Sequence, residues 1–223
     1  MNTISKLECP CTRYELNKYE TKSFYPKGTT IFIEGTPIFG LYCVCEGKIK
    51  LSRFEEDGKE IILQLINQGE MLGNRCFFSK SHFGMSATAL EDSKVSFIEK
   101  SSIYDAIKSD VNISHYFLNS LGQELAEADK RTSTLIRKKV GERMAEFFLN
   151  TLKIFGKPER EHYKLDIHLS REEMASIIGT SSETITRFIS LFKDNGLISE
   201  KKGNIYILDA HKLHIISKQP KLS

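Results

Sequence analysis

Four residues near the C-terminal end, Ser182, Glu183, Thr186 and Arg187, have the types and spacing needed to read the edge of a base pair. Positions three and four apart share one side of a helix, so the four make one face. Short side chains at its start allow close approach to a DNA groove. Glutamate accepts from the amino group of cytosine, and arginine donates twice to guanine. An ordinary helix surface would use Glu183 and Arg187 differently, as an i,i+4 ion pair worth about 0.2–0.5 kcal/mol.

The elements around these residues decide between the two uses. Ser170 followed by Glu173 forms an S-x-x-E capping box, which satisfies free amides at a helix start. Met174, Ile177 and Ile178 give that helix an apolar face, and Gly179 ends it as a left-handed C-terminal glycine. Ser181 then caps a second helix that runs to about Asp194 and stops at Asn195-Gly196. Its inward face is Ile185, Phe188, Ile189 and Phe192, which leaves the four polar residues outside. Two short strands carrying Lys201 and Lys202 follow as a basic wing. A capped helix, a glycine turn, a second helix with a small polar face and a basic hairpin together point to DNA contact.

Charge agrees with that placement. Residues 137–223 hold 16 Lys and Arg against 11 Asp and Glu, a balance of +5, while residues 1–136 hold 16 against 18, a balance of −2. A basic C-terminal part suits a polyanionic partner. The 223 residues allow one large or two small domains. No apolar run approaches the length of a membrane span, and MNTISKLECPCTRYELN lacks the apolar core of an export signal. Five cysteines without a disulfide-rich pattern fit a reducing compartment, so the expectation is a cytoplasmic protein with no membrane partner.

The remainder of the chain reads in two textures. From residue 20 to about 100 it is β-rich. Thr30–Glu34, Leu41–Cys45, Lys48–Phe54, Ile61–Ile66, Ser86–Leu90 and Lys94–Ile98 are short β-branched runs, and Asp57-Gly58 marks a hairpin. Spacing of this kind suggests a sandwich or barrel. From Ser101 the pattern turns helical. Leu118, Leu121, Leu125, Ala128, Thr132 and Leu135 follow 3-4-3-4-3 spacing, an a/d seam suited to a dimer coiled coil. Another helix presents Val140, Met144, Phe147, Phe148 and Leu152, and Gly156-Lys157-Pro158 ends it.

A barrel, a long helix and a winged helix in this order resemble the Crp/Fnr superfamily of cyclic-AMP receptor and fumarate–nitrate regulators. LYCVCEGKIKLSRFEEDGKEIILQLINQGEMLG is similar to the roll of strands before that family's phosphate-binding cassette, and SREEMASIIGTSSETITRF to its helix-turn-helix. The resemblance implies an α+β fold. It comprises a cyclic-nucleotide-binding-like β-roll (double-stranded β-helix or jelly roll) at 1–100, a dimerisation helix region at 101–138, and a winged helix-turn-helix at 139–223. It also implies a homodimeric transcription regulator that binds a two-half-site operator and works with RNA polymerase. Glu183 and Arg187 fall where the family reads a G·C pair. Ser182 replaces an arginine of the cyclic-AMP branch, and Thr186 stands where the other branch often has serine. Arg171, Ser181 and Thr184 match phosphate-touching positions, and Lys201 and Lys202 would add phosphate contacts from the wing.

The sensor end departs from the cyclic-AMP pattern. The family's Gly-Glu pair reads Gly73-Asn74, and its Arg-Ser pair reads Met85-Ser86. Methionine cannot pair with a buried phosphate. The adenine-contacting hydroxyl pair would fall near Ala128-Asp129 and is missing, while Arg75 stands close enough to substitute for the lost cation. The expectation is a barrel that answers some signal other than cyclic AMP. An iron–sulfur cluster would draw on Cys9, Cys11 and Cys76, but the family's late-barrel ligand position reads near Ser96. Cys43 and Cys45 alternate on one strand face and read as small apolar residues. A haem site near Cys76, His82 and Met85 is a further alternative, as is a thiol switch at Cys9 and Cys11. No cofactor is the leading expectation, and no metal site stands out. His211 and His214 read as a solvated helix face.

Other function classes fit less well. A protein-docking module would need an apolar outer face on Ser182–Lys193, which this segment lacks. The chain shows no glycine-rich phosphate loop, nucleophile elbow or HExxH, so an enzyme is not expected.

Overall fold

A computed structural model describes residues 20–79, 82–159 and 161–218. Two compact units comprise residues 1–127 and 128–223, the boundary falling inside the long helix.

The first unit is a roll of two four-stranded antiparallel sheets. One has the order β1 (Glu20–Tyr25), β8 (Ser93–Glu99), β3 (Gly40–Glu46), β6 (Met71–Leu72). The other has the order β2 (Thr30–Phe32), β7 (Ser86–Ala89), β4 (Ile49–Phe54), β5 (Glu60–Ile66). The Asp57-Gly58 turn joins β4 to β5 as expected. Gly58 takes φ 80°, and Asp57 Oδ1 accepts from the Lys59 amide at 2.9 Å. Leu41, Ile49, Leu72 and Ile98 are fully buried in a core to which both sheets contribute. Ile103, Ile113 and Phe117 from the following helices join it. Between β6 and β7 lies a short helix, α1 (Asn74–Phe77), entered through Gly73 at φ 94°.

The expected helical region is two helices. α2 spans Lys100–Ser109 and α3 spans Val111–Arg137. Asp110 separates them with extended backbone, its carboxylate accepting from the Asn112 amide at 2.8 Å. Asp competes well for backbone amides at a helix start, which accounts for the break. At 27 residues α3 is about 40 Å long.

The second unit packs α4 (Val140–Phe155), α5 (Arg171–Ile178), α6 (Ser182–Asp194) and α7 (Ala210–Ser217) with a four-stranded sheet of order β11-β12-β10-β9. β11 (Ile198–Lys201) and β12 (Asn204–Ile207) are the expected wing. β9 (Gly156–Glu159) and β10 (His162–Leu165) are a hairpin that the sequence reading misses. Gly156 does end α4, but Lys157 and Pro158 continue as an edge strand, where proline is tolerated because its missing amide faces away from the ladder. Met144, Phe148, Met174, Ile185, Ile189, Phe192 and Leu213 form the apolar interior. His211 and His214 are both exposed on α7.

Candidate nucleic-acid interface

The helix-turn-helix is built almost entirely by local capping. Ser170 Oγ accepts from the Glu173 amide at 3.1 Å, and Glu173 returns the bond to the Ser170 amide at 2.9 Å. Gly179 sits at φ 75°, ψ 55°, and its amide closes the last turn onto Ala175. Arg143 of α4, which the sequence reading overlooks, donates to the carbonyls of Ile178 and Gly179, each at 2.9 Å. A cation on the free carbonyls of a helix C-terminus is favourable. It fixes where α6 begins. Ser181 then caps α6, accepting from the Thr184 amide at 3.3 Å.

α6 buries Ile185, Ile189 and Phe192 completely, while Phe188 is half-buried against Gly141 and Phe192. On the opposite side Glu183, Thr186 and Arg187 are exposed and Ser182 is half-buried. No salt bridge joins Glu183 to Arg187 among the described residues. The neighbouring Ser181 side chain, then its own backbone amide, holds the Glu183 carboxyl below the usual range. The Arg187 guanidinium lies 5.5 Å from the Phe188 ring centre. Both ends of the face therefore keep their hydrogen-bonding groups toward solvent. Thr186 donates to the Ser182 carbonyl at 2.9 Å, which leaves its oxygen as an acceptor.

The cations differ in availability. Lys201 and Lys202 are exposed at the wing tip, where Lys202 at φ 50° and Gly203 at φ 75° make the two-residue hairpin turn. Arg171, at the first turn of α5, is not free. Its guanidinium meets both oxygens of Glu200 on β11, at 2.7 and 2.9 Å, and Lys193 lies 3.9 Å from the same carboxylate.

In the other unit a small, partly open cleft with about 30 Å³ of free space is lined by Phe32, Ile66, Asn74, Arg75, Met85 and Glu124 among others. It gathers four of the expected pocket residues, Gly73, Asn74, Arg75 and Met85, while Ser86 does not line it. Gly73 turns the chain, Asn74 is 3 % exposed, and Met85 is half-buried. Ser86 is buried, its hydroxyl accepting from the Glu34 amide at 3.0 Å. Arg75 is ion-paired with Glu124 of α3 at 2.9 Å. Cys76 is a buried free thiol whose sulfur accepts from the Gly84 amide, and Cys45 is a half-buried thiol against Ser96. Cys43 is fully buried as expected, yet it is not a free apolar thiol: it is disulfide-bonded, its partner outside the described residues. Cys9 and Cys11 lie outside the described residues. Among those described, no three His, Cys, Asp or Glu side chains are grouped to hold a metal. No described helix is long and apolar enough to cross a membrane.

On the seam of α3, Leu118, Leu125 and Leu135 are 66 %, 64 % and 52 % exposed. Leu121 and Ala128 are half-buried and Thr132 is exposed. Ile136, absent from the expected seam, is the most exposed of all at 76 %.

Residues 22–110 match the cyclic nucleotide-binding domain, and residues 142–216 match the Crp-like helix-turn-helix domain. The chain belongs to the Crp/Fnr family of DNA-binding transcription regulators. It is 28 % identical to the CRP-like cAMP-activated global transcriptional regulator of Mycobacterium tuberculosis over 85 % of this chain and 84 % of the relative. It is 26 % identical to the global nitrogen regulator of a Nostoc species, over 87 % of each. In fold it is similar to FixK2 from Bradyrhizobium japonicum, with a TM-score of 0.79 at 23 % identity, covering 90 % of this chain and 98 % of that one. Family members of this kind are regulators rather than enzymes.

Proposed function

We propose that this Crp/Fnr regulator acts as a homodimer that reads a two-half-site operator with Ser182, Glu183, Thr186 and Arg187. Arg171, Ser181, Thr184, Lys201 and Lys202 hold the phosphates. One observation carries this reading: Glu183 and Arg187 stand four apart on an exposed face and do not pair with each other. The exposed leucines of α3 supply the dimer seam, and RNA polymerase is the further partner. The domain limits that go with this reading are 1–100, 101–138 and 139–223.

The signal is not cyclic AMP. Met85 offers no charge to a cyclic phosphate, Ser86 does not line the cleft, and Arg75 is paired with Glu124. Burying an anion without a free cation is costly. A second reading, control by thiol oxidation, is favoured by the disulfide at Cys43. Counting free thiols before and after reduction tests it, and an unchanged count removes it.

Selection of operators from random duplexes tests the main reading, followed by binding in a salt series. Affinity should fall steeply with salt, and half-sites should lie about one helical turn apart. Arg187→Ala should cost about 1–3 kcal/mol and relax preference at one base pair. An equal loss on operator and random DNA would remove Arg187 from the base-reading set.

A further inference from the structure

The polar end of the sensor cleft is filled by the chain itself. Glu124 reaches from α3 between the two residues that follow Gly73. Its carboxylate accepts from Arg75 Nε at 2.9 Å and from Asn74 Nδ2 at 3.5 Å. Arg75 Nη2 donates to the Glu124 carbonyl at 3.0 Å, and Asn74 Nδ2 donates to Ser120 Oγ one turn earlier at 3.1 Å. The Glu124 side chain is 18 % exposed, and it lines the cleft together with Asn74 and Arg75. Four contacts thus tie α1 to one stretch of α3, and three of them belong to Glu124.

Further acid stands near Glu124. Desolvation of the Glu70 carboxyl group, opposed by a hydrogen bond from the Asn67 amide and helped by the charges of Glu124 and Glu127, pushes it up to about 7, although the residue itself is exposed. A negative field around a single neutralised arginine repels an anionic visitor. In a regulator driven by an effector, the ligand supplies contacts that bias a two-state element. Here the contacts between cleft and long helix are present from the chain's own residues.

We propose that Glu124 is a built-in ligand of the sensor barrel, a carboxylate that occupies the Asn74–Arg75 cradle and holds α3 in the DNA-competent arrangement without a small-molecule effector. This rests on the reading of the chain as an operator-binding regulator and names how its sensor site is controlled. The chemical class the cradle takes is a carboxylate. Removal of Glu124 should therefore open a site that small carboxylates fill.

The test uses the full chain with two readouts, operator affinity by fluorescence anisotropy and hydrogen exchange of the amides in 74–77 and 117–127. Wild type should bind its operator with no small molecule added. Glu124→Ala, a change that favours helix and so keeps α3 intact, should bind about tenfold more weakly, within the usual range of allosteric coupling. Its amides in both segments should exchange about tenfold faster. Added acetate should reverse both changes in Glu124→Ala and do nothing to wild type. Glu124→Gln, which keeps an acceptor but not the charge, should fall between. Wild-type behaviour of Glu124→Ala in both readouts overturns the proposal. So does failure of acetate to restore a loosened variant when Glu124→Gln is equally defective, which would make Glu124 a packing residue. If no form of the protein selects an operator, the regulator reading fails instead, and hydrogen exchange with acetate still decides whether Glu124 occupies a carboxylate site.

Discussion

On the proposed phosphate contact of Arg171, Glu200 should set how much of the arginine charge reaches DNA, and Glu200→Gln measures it. Arg171 donates to both Glu200 oxygens at 2.7 and 2.9 Å, with side chains 29 % and 23 % exposed. A phosphate on the outer edge of the same guanidinium would lie about 6 Å from that carboxyl group. At the dielectric constant of water, two like charges at that distance repel by about 0.7 kcal/mol. Glutamine keeps a hydrogen-bond acceptor and removes this repulsion, raising the formal net charge from +3 to +4. The expected result is binding about threefold tighter, equally on operator and random duplex, because phosphate contacts carry no sequence information. The variant should lose no more than about 1 kcal/mol of stability, as partly exposed pairs contribute little. Fluorescence anisotropy on both duplexes across a salt series reads the first effect, and urea unfolding the second. Arg171→Ala in parallel should weaken both duplexes and lower the salt slope by about 1. Weaker binding by Glu200→Gln would refute the competition and make Glu200 the residue that aims Arg171. No change in either variant would remove Arg171 from the phosphate contacts.

Three further outcomes follow from local geometry. Lys202 holds a left-handed φ of 50° that asparagine adopts more readily, so Lys202→Asn should raise stability by up to about 1 kcal/mol while lowering the DNA salt slope by about 1. A variant that is less stable or keeps its slope contradicts this. Gly179→Ala places a Cβ at left-handed φ and 3.0 Å from Leu135 Cδ2, and should cost roughly 1–2 kcal/mol, read as a lower urea midpoint at unchanged slope. Glu146 carries a pH signature. Burial would raise its carboxyl, but the hydrogen bond and charge of Lys138 at 2.7 Å, with Lys130 behind, bring it below the ordinary 4.5. A lowered carboxyl stabilises the fold above its unfolded pKa of about 4.5 and loses that contribution as pH falls through the folded value. Glu146→Gln should flatten the acid limb of a melting-temperature profile and leave the neutral region lower throughout. An acid limb parallel to wild type would clear Glu146 of that role.

The DNA-binding end was readable because its devices act over three or four residues. The Ser170–Glu173 box, the Gly179 turn and the Ser181 cap each depend on near neighbours, so residue type and spacing determine them. The Asp57-Gly58 hairpin is legible for the same reason. The β9–β10 hairpin is not, since Gly156-Lys157-Pro158 has the composition of a helix stop and becomes a strand only through pairing with β10 and, beyond it, β12. Asp110 could have been read as a helix start; its capping role was masked by the apolar pattern running on through it.

What sequence spacing leaves open is the pairing of polar groups. Arg171 meets Glu200 across 29 positions, Asn74 meets Ser120 across 46, Arg75 meets Glu124 across 49, and Glu34 meets Ser86 across 52. Each of these partners changes what the residue at the matched position has to offer. Arg75 stands where a substitute phosphate cation was expected, yet Glu124 already holds it, and Arg171 matches a phosphate contact but shares Glu200 with Lys193. Glu183 and Arg187 show the converse, since a pair that spacing alone would allow does not form. A motif therefore locates a charged group, while its availability is a property of the folded pair. That is why the helix-turn-helix can be read from forty residues, while what the sensor cleft has to offer depends on the contacts that α3 makes with the barrel.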